Sequence, residues 1–306
     1  MKHSVDLFLY HLMSERYLSS NTVEAYRRDI QQFLDFIQKK TKVTTFKKIN
    51  NQHIKDFLKH LKYRLKVGPK SASRKLSALK SLSKYLHKVE KVPLFTEGVA
   101  FPKLPQQLPK FLSEEQVQDI LLAADKDTSL TGKRNKVMIA LLYACGLRVS
   151  ELLSLQIHNV HFSEHFIQVF GKGDKERIVP LPEEILPALQ FYIAKIQPAL
   201  IASAGETIMT DHLFPVVYGQ KVEPMTRQGF HKILKIISAQ AGLVHPVSAH
   251  VLRHSLATHL LKKGANLRVL QMLLGHEKLT TVQVYTHLDV SHLQSLYNTF
   301  HPRAKK

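Results

Sequence analysis

The chain has 306 residues, 44% of them hydrophobic and 22% charged, a composition typical of globular protein and a length sufficient for two ordinary domains. Its 44 lysines and arginines outnumber 24 aspartates and glutamates, and the resulting net charge of +20 indicates an acidic partner such as nucleic acid. Its single cysteine, Cys145, excludes an internal disulfide framework, and we find neither a signal-peptide core nor an apolar run of about 20 residues, so we expect a soluble cytoplasmic protein.

The basic charge is concentrated in the amino-terminal third of the chain. Residues 1–105 carry 22 basic and 8 acidic side chains, a net +14, which leaves 22 minus 16, or +6, for residues 106–306. Ribosomal and membrane-surface proteins can be equally basic. The distribution nevertheless favours the first third as the part that grips a polyanion.

Four blocks of apolar residues at helical spacing predict a four-helix amino-terminal domain, near residues 4–15, 20–40, 51–65 and 70–89. The polar faces of these helices are rich in lysine and arginine. Charge runs usually mark solvated helix faces, but the excess of one sign favours phosphate contact for part of the set.

Four prolines interrupt any helix after this domain, at positions 93, 102, 105 and 109. We therefore predict a helical domain over residues 1–105, with a linker from about residue 93, and a second domain over residues 106–306.

The second domain begins with the capping-box pattern Ser113-Glu-Glu-Gln116, and helices follow near residues 133–144 and 148–156. Two β-rich runs, residues 165–170 and 176–181, flank a glycine-punctuated turn, which predicts a hairpin with Lys172 at its tip. Helical patterns then return near residues 183–203, 226–241, 250–263, 266–274, 280–288 and 290–299. The expected fold class is mainly α with a small β-sheet.

His250 and Arg253 are three residues apart, so they share one face of a helix. Ser248 is a candidate N-cap, which places His250 in the first turn, where helix amides and partial positive charge favour an anion. An oxyanion pocket follows, because the nonbridging oxygens of a phosphodiester are best held by fork-shaped donors. A histidine near a helix start is also commonly a capping or core residue.

His254 and His259 lie on the same predicted helix and leave a metal site as an alternative to the oxyanion pocket. The alternative is disfavoured, because the helix has no His-Glu-x-x-His arrangement and no cysteine or carboxylate partner at ligand spacing.

Arg148 and Glu151 also lie three residues apart, on an amphipathic helix. Glu151 is predicted to hold the Arg148 guanidinium in place from behind. A surface ion pair of little energetic consequence is the alternative.

The segment Leu274-Gly275-His276 is predicted to end a helix, and Tyr285 follows nine residues after His276. Tyrosines on short helices mostly serve in packing. As a nucleophile a phenol needs surrounding positive charge, because its unperturbed pKa is about 10.

Taken together, one set of residues resembles, in type and in order, the active site of the tyrosine recombinase, or phage-integrase, family: Arg148, Lys172, His250, Arg253, His276 and Tyr285. The motif surroundings are similar too, and several stretches resemble the bacterial Xer branch. Two positions depart from the family pattern. Cys145 stands where a small hydroxyl residue is expected and Ala249 where proline is usual, but neither departure removes a catalytic group.

The resemblance implies a two-domain C-shaped clamp around duplex DNA, with an N-terminal four-helix DNA-binding domain and a tyrosine-recombinase catalytic domain. Tyr285 would form a 3′-phosphotyrosyl bond, while Arg148 and Arg253 clamp the nonbridging oxygens. His250 and His276 would assist proton movement and charge stabilisation. Lys172 would protonate the leaving 5′-oxygen. The covalent link stores the bond energy, so no metal or nucleotide cofactor is implied.

The Xer resemblance further implies resolution of chromosome dimers at a dif-like site during segregation. The implied partners are a second, XerC-like recombinase in a heterotetramer and an FtsK-like DNA translocase as activator. The apolar stripe of the last predicted helix, within residues 290–299, would dock on a neighbouring subunit. Two alternatives remain open: a plasmid, transposon or phage integrase with the same chemistry, and a DNA-binding regulator that does not cut.

Overall fold

The computed structural model divides the chain into two compact units, Met1–Leu108 and Pro109–Lys306. It describes residues 1–16, 18–41, 43–103, 111–170, 176–205, 209–266, 270 and 299. The three helices predicted beyond residue 265 lie outside the described residues, apart from Asn266, Leu270 and Thr299.

The described residues of the first unit form four α-helices, as the apolar periodicity predicts. They are α1 (Lys2–Ser14), α2 (Ser20–Lys40), α3 (Asn51–Tyr63) and α4 (Pro69–Glu90), with a 3₁₀ turn at Phe46–Lys48 before α3. Their apolar stripes share one core, in which the largest fully buried side chains include Phe8, Phe33 and Phe57. Burying these aromatic rings supplies much of the driving force that holds the unit together.

One buried acid lies where α2 and α4 contact each other. Asp29 of α2 is 1% exposed, and its two oxygens each lie 2.7 Å from a cation of α4, Arg74 Nη1 and Lys75 Nζ. Part of the basic charge of α4 is therefore anchored from inside the unit.

The second unit is also mainly helical. Before its first strand it contains α5 (Glu114–Asp125), α6 (Leu130–Ala144) and α7 (Val149–Ser154), and after its sheet come α8 (Leu186–Phe191), α9 (Gln197–Ala202), α10 (Arg227–Gln240) and α11 (Ala249–Lys262). The capping box predicted for α5 is confirmed, because Ser113 Oγ accepts from the Gln116 N–H and Gln116 Oε1 accepts from the Ser113 N–H.

The predicted hairpin is part of a three-stranded antiparallel sheet with the order β1 (Val160–His161), β2 (Phe166–Phe170) and β3 (Glu176–Pro180). In β3 the side chains of Arg177 and Val179 face inward. A second hairpin, β4 (Pro215–Tyr218) and β5 (Lys221–Pro224), was not predicted from the sequence.

The stretch predicted as a single helix after the sheet is α8 and α9 joined by a π turn, Tyr192–Ile196. By length and composition alone, the 20 helical residues Glu183–Ala202 could cross a membrane, with a mean hydropathy of 1.3. The expectation that no apolar run reaches this length is therefore wrong. Leu189, Tyr192 and Ile196 nevertheless lie in the core of the second unit, and core helices of globular domains have this composition.

Side chains of α11 form hydrogen bonds with the beginning of the second unit. Ser255 Oγ accepts from the Leu112 N–H, and His259 Nε2 donates to the Leu112 carbonyl, both at 2.8 Å. The other ring nitrogen of His259 accepts from the hydroxyl of Tyr143 on α6, also at 2.8 Å. The buried imidazole of His259 therefore links α6, α11 and the segment that precedes α5.

Candidate active site

The candidate site centres on the carboxylate of Glu151 in the first turn of α7. The N–H of Arg148 donates to Oε2 at 2.7 Å, and Arg148 Nη1 donates to Oε1 at 2.6 Å. Glu151 is 1% exposed, whereas the Arg148 side chain is 39% exposed. The carboxylate therefore holds the guanidinium from behind while part of that side chain faces outward, the geometry that the three-residue spacing predicts.

Arg253 approaches the same carboxylate from α11. Its Nη1 donates to the carbonyl of Gly146 and lies 3.9 Å from Glu151 Oε2. Gly146 has a φ of +56°, a left-handed conformation that glycine adopts without a Cβ clash. The link between α6 and α7 therefore serves the site twice. Its backbone accepts a hydrogen bond from Arg253, and its last residue is Arg148.

The predicted N-cap of α11 is confirmed. Ser248 Oγ accepts from the Val251 N–H, and the helix begins at Ala249, so His250 lies exposed in the first turn. Arg253 follows one turn later on the same face. The amides at this helix start add their partial positive charge to the side chains beside them.

Arg177 belongs to the cluster although it was not among the predicted site residues. Its Nη2 donates to Glu151 Oε2 at 2.8 Å and its Nε to Oε1 at 3.4 Å. A signal was present in the sequence: strand alternation places Arg177 on the same face as the apolar Val179. A buried cation predicted in this way requires a buried anion.

Three guanidinium groups thus surround one carboxylate, which gives the cluster a net charge of +2 by simple count. Burial, together with the positive charges of Arg177 and Arg148, lowers the pKa of Arg253 to about 10. Burial and the neighbouring positive charges therefore disfavour the charged form of Arg253. An anion bound beside Arg253 would have the opposite effect, because an opposite charge favours the protonated guanidinium.

The metal alternative gains no support from the donor set. Both ring nitrogens of His259 are engaged in buried hydrogen bonds, so this residue is not placed to serve as a ligand. Within the described ranges, no three histidine, cysteine, aspartate or glutamate side chains group as metal ligands do.

The remaining predicted site residues, Lys172, His276 and Tyr285, lie outside the described residues. The described part of the site is suited to binding an oxyanion. Two partly accessible guanidinium groups and a helix start offer forked donors to an oxyanion, as transfer at a phosphodiester requires.

Family models and curated relatives identify the family to which this chain is similar. The model described as "Phage integrase family" matches residues 110–292, and that described as "Phage integrase, N-terminal SAM-like domain" matches residues 5–89. The protein named tyrosine recombinase XerD of Oceanobacillus iheyensis is 40% identical, with 99% of this chain and all of the relative covered. The XerD of Vibrio cholerae is 41% identical, with 98% and 96% covered.

Solved structures show the same fold. The XerH site-specific recombinase bound to palindromic difH substrate, in a post-cleavage complex, has a TM-score of 0.68 at 25% identity, with 89% of this chain and 78% of that chain covered. The Tn1549 transposon integrase in complex with transposon right-end DNA has a TM-score of 0.69 at 18% identity, with 96% and 94% covered, a likeness of fold alone. The chain therefore belongs to the phage integrase family of tyrosine recombinases, in its Xer branch.

Proposed function

We propose that this recombinase cuts and rejoins duplex DNA through a 3′-phosphotyrosyl bond to Tyr285. The phenolate oxygen attacks the scissile phosphorus, the bond to the 5′-oxygen breaks, and Lys172 delivers the proton that makes the leaving group a 5′-hydroxyl. A 5′-hydroxyl of the exchanged strand then attacks the phosphotyrosine and releases the tyrosine. No energy carrier is needed, because each step exchanges one phosphodiester for another.

The convergence of Arg148 and Arg253 on the buried Glu151 carries the proposal. Both guanidinium groups would bind the nonbridging oxygens, and their excess positive charge would stabilise the charge that develops in the transition state. His250, in the first turn of α11, and His276 would assist proton transfer and charge stabilisation. The same positive charge would favour the phenolate of Tyr285.

The substrate we propose is a dif-like chromosomal site, and the process is resolution of chromosome dimers during segregation, in the cytoplasm. The support is the near full-length similarity to proteins named XerD and the likeness to a XerH structure that holds a difH substrate. On this assignment a second, XerC-like recombinase completes a heterotetramer and an FtsK-like translocase activates it.

A covalent-trapping experiment tests the chemistry. Duplexes retained by the full chain are selected from a random-sequence pool, and the best sequence is rebuilt as a nicked suicide substrate. Wild type should form a denaturation-resistant adduct through the DNA 3′ end and release a 5′-hydroxyl, whereas Tyr285→Phe should bind the duplex equally well and form none.

Each outcome decides between the candidate functions. An adduct that survives Tyr285→Phe refutes the nucleophile, and tight binding without any wild-type adduct favours a regulator that does not cut. A selected sequence that occurs once, as a palindrome near the replication terminus, supports dimer resolution. One found at the ends of a mobile element supports an integrase instead.

A further inference from the structure

Arg148 and Arg253 have roles in the proposed reaction, but Arg177 has none. The Arg177 side chain is 5% exposed, so it is too deeply buried to clamp a DNA phosphate. Burying a guanidinium carries a large desolvation penalty, which only a well-formed partner offsets. The two hydrogen bonds from Arg177 to Glu151 supply that partner. They do not by themselves explain what the buried arginine contributes to the reaction.

Arg177 is not the only cation paired with Glu151. Arg148, three residues away, already donates to both carboxylate oxygens, at 2.7 and 2.6 Å. A second buried guanidinium adds positive charge beside Arg253 and contributes to the lowered pKa of that residue. The charge of Arg177 is therefore unfavourable beside Arg253 but favourable beside Glu151, whose pKa it lowers. What distinguishes Arg177 from Arg148 is that it comes from β3, so its contact joins two separate elements.

Arg177 connects the hairpin of β2 and β3 to the start of α7. Within the hairpin Arg177 pairs with Val169, and the next pair, Phe170 with Glu176, is the last before residues 171–175. That connection contains Lys172. Arg177 therefore lies one residue pair from the segment that carries the proposed general acid.

On the other side of the contact, Glu151 binds Arg148 directly. The carboxylate thus has the phosphate clamp on one side and the base of the hairpin on the other. Its two oxygens are each shared, with Oε2 receiving the Arg148 N–H and Arg177 Nη2, and Oε1 receiving Arg148 Nη1 and Arg177 Nε. Such a shared fork fixes direction as well as distance.

We propose that Arg177 is a positioning residue, whose fork onto Glu151 holds the hairpin that carries Lys172 in register with the Arg148 clamp. The inference rests on the proposed function, because it assumes that Lys172 protonates the leaving 5′-oxygen. Loss of the fork should leave DNA bound but misplace the acid relative to the clamped phosphate.

The test compares single-turnover cleavage of two nicked suicide substrates, one with an ordinary 5′-oxygen leaving group and one with a bridging 5′-thiol. A thiolate leaves without a proton, so it relieves the need for a general acid. Arg177→Met leaves Glu151 paired with Arg148 and should slow cleavage at oxygen by about 10- to 100-fold, the penalty of a misplaced group. Most of that loss should disappear on the thiol, so the oxygen-to-thiol rate ratio falls while DNA affinity is kept.

Arg177→Lys distinguishes the effect of the two parallel hydrogen bonds from the effect of the positive charge. It keeps the positive charge and most of the length but cannot form two parallel bonds, so its oxygen-to-thiol ratio should fall as well. It also carries the test if the methionine variant does not fold. A lysine variant with the wild-type ratio would show that charge alone suffices and would overturn the positioning role.

Two controls complete the experiment. Arg134→Met removes another buried arginine, one that donates to the Pro215 carbonyl away from the cluster, and should lower stability without changing the ratio. Lys172→Ala should lower the ratio strongly. An unchanged ratio for Lys172→Ala refutes the proposed acid. A lowered ratio for Lys172→Ala together with a wild-type ratio for Arg177→Lys refutes the positioning role of Arg177 alone.

Discussion

Glu151 is almost completely buried, yet its surroundings hold it ionised. Burial by itself raises the pKa of Glu151, but the charge of Arg177 and the hydrogen bonds donated by Arg177 and Arg148 outweigh burial and lower that pKa below its ordinary value. The residue is therefore an anionic anchor rather than an acid or a base. Its charge keeps three guanidinium groups together that otherwise repel one another.

Glu151→Gln is the sharpest test of this anchor. The change keeps the shape but removes the negative charge, so we expect about 3 kcal/mol lower free energy of unfolding at pH 7, the scale for a broken buried ion pair. Urea unfolding of the full chain measures the loss. The exposed Glu223→Gln on β5 is the matched control and should change stability by less than about 0.5 kcal/mol.

Acid pH should erase the difference between wild type and Glu151→Gln. A carboxyl whose folded pKa is lowered stabilises the fold above its unfolded pKa of about 4.3, and this contribution is lost as the pH falls through the folded pKa. The gap between the two proteins should thus be full at pH 7 and close progressively below about pH 4. A gap that persists unchanged into acid would mean that shape, not charge, is what Glu151 contributes.

Residue spacing predicted only the local pair of this cluster, and the family resemblance placed Arg253 beside Arg148. Arg148 and Glu151 could be paired because their spacing on a helix forces them together. The approach of Arg177 and Arg253 depends on how β3 and α11 pack against α7, and no local pattern reports that packing. For Arg177 alternation indicated burial, but not the partner.

The two departures from the family pattern have simple local outcomes. Cys145 is buried at the end of α6, and burial raises the pKa of its thiol, so the thiol stays protonated. Ala249 is the first residue of α11, a position that proline also favours, and the cap by Ser248 forms without it.

Among the elements, the long helices and the hairpin of β2 and β3 were predictable, and the hairpin of β4 and β5 was not. The buried apolar residues of α2 run from Val23 to Ile37, about four helical turns, so their periodicity identifies the helix clearly. By contrast, β4 and β5 are four residues each, with prolines at Pro215 and Pro224 and few buried positions, so no alternation shows in their sequence. Their position is set instead by tertiary contacts such as that between Arg134 Nη1 and the Pro215 carbonyl.

The π turn between α8 and α9 also has a cause that a periodicity search misses. Pro198 has no N–H, and its ring crowds the carbonyl four residues earlier. The Gln197 N–H donates to the Tyr192 carbonyl, five residues back, and the widened turn absorbs the proline without ending the helix. Tyr192 remains buried, with its hydroxyl bonded to the Leu213 carbonyl at 2.9 Å.

The contact between α6 and α11 makes a prediction at the scale of elements. A carbonyl only accepts, so Nε2 of His259 carries the proton given to Leu112, and Nδ1 must accept from Tyr143. Tyr143→Phe leaves that buried nitrogen unsatisfied and should lower the free energy of unfolding by about 1–2 kcal/mol. Urea unfolding measures the effect, with Tyr218→Phe on the exposed face of β4 as the control. Equal stabilities for the two variants would show that the hydrogen bond contributes nothing.

Across the whole molecule, the basic excess is unequal, with +14 on residues 1–105 and +6 on residues 106–306. Among the described residues, each unit contains an at least partly exposed guanidinium held by a buried carboxylate. In the second it is Arg148 on Glu151; in the first it is Arg74, 46% exposed, on Asp29. Orienting a cation from the inside lowers the entropy lost when it meets a phosphate, so we expect Arg74 to contact DNA.

Arg74→Gln should therefore weaken binding to specific and random duplexes alike and reduce the slope of log affinity against log salt by about 1, the value for one lost phosphate contact. Asp29 keeps Lys75 as its partner in this variant, so the fold should survive. Titrations at several salt concentrations measure the slope, and Lys88→Gln, exposed in the last turn of α4, is the charge-matched control. If the two variants shift the slope equally, the effect belongs to net charge. An Arg74→Gln slope identical to wild type places the residue away from DNA, and the anchoring by Asp29 then serves only the packing of α2 on α4.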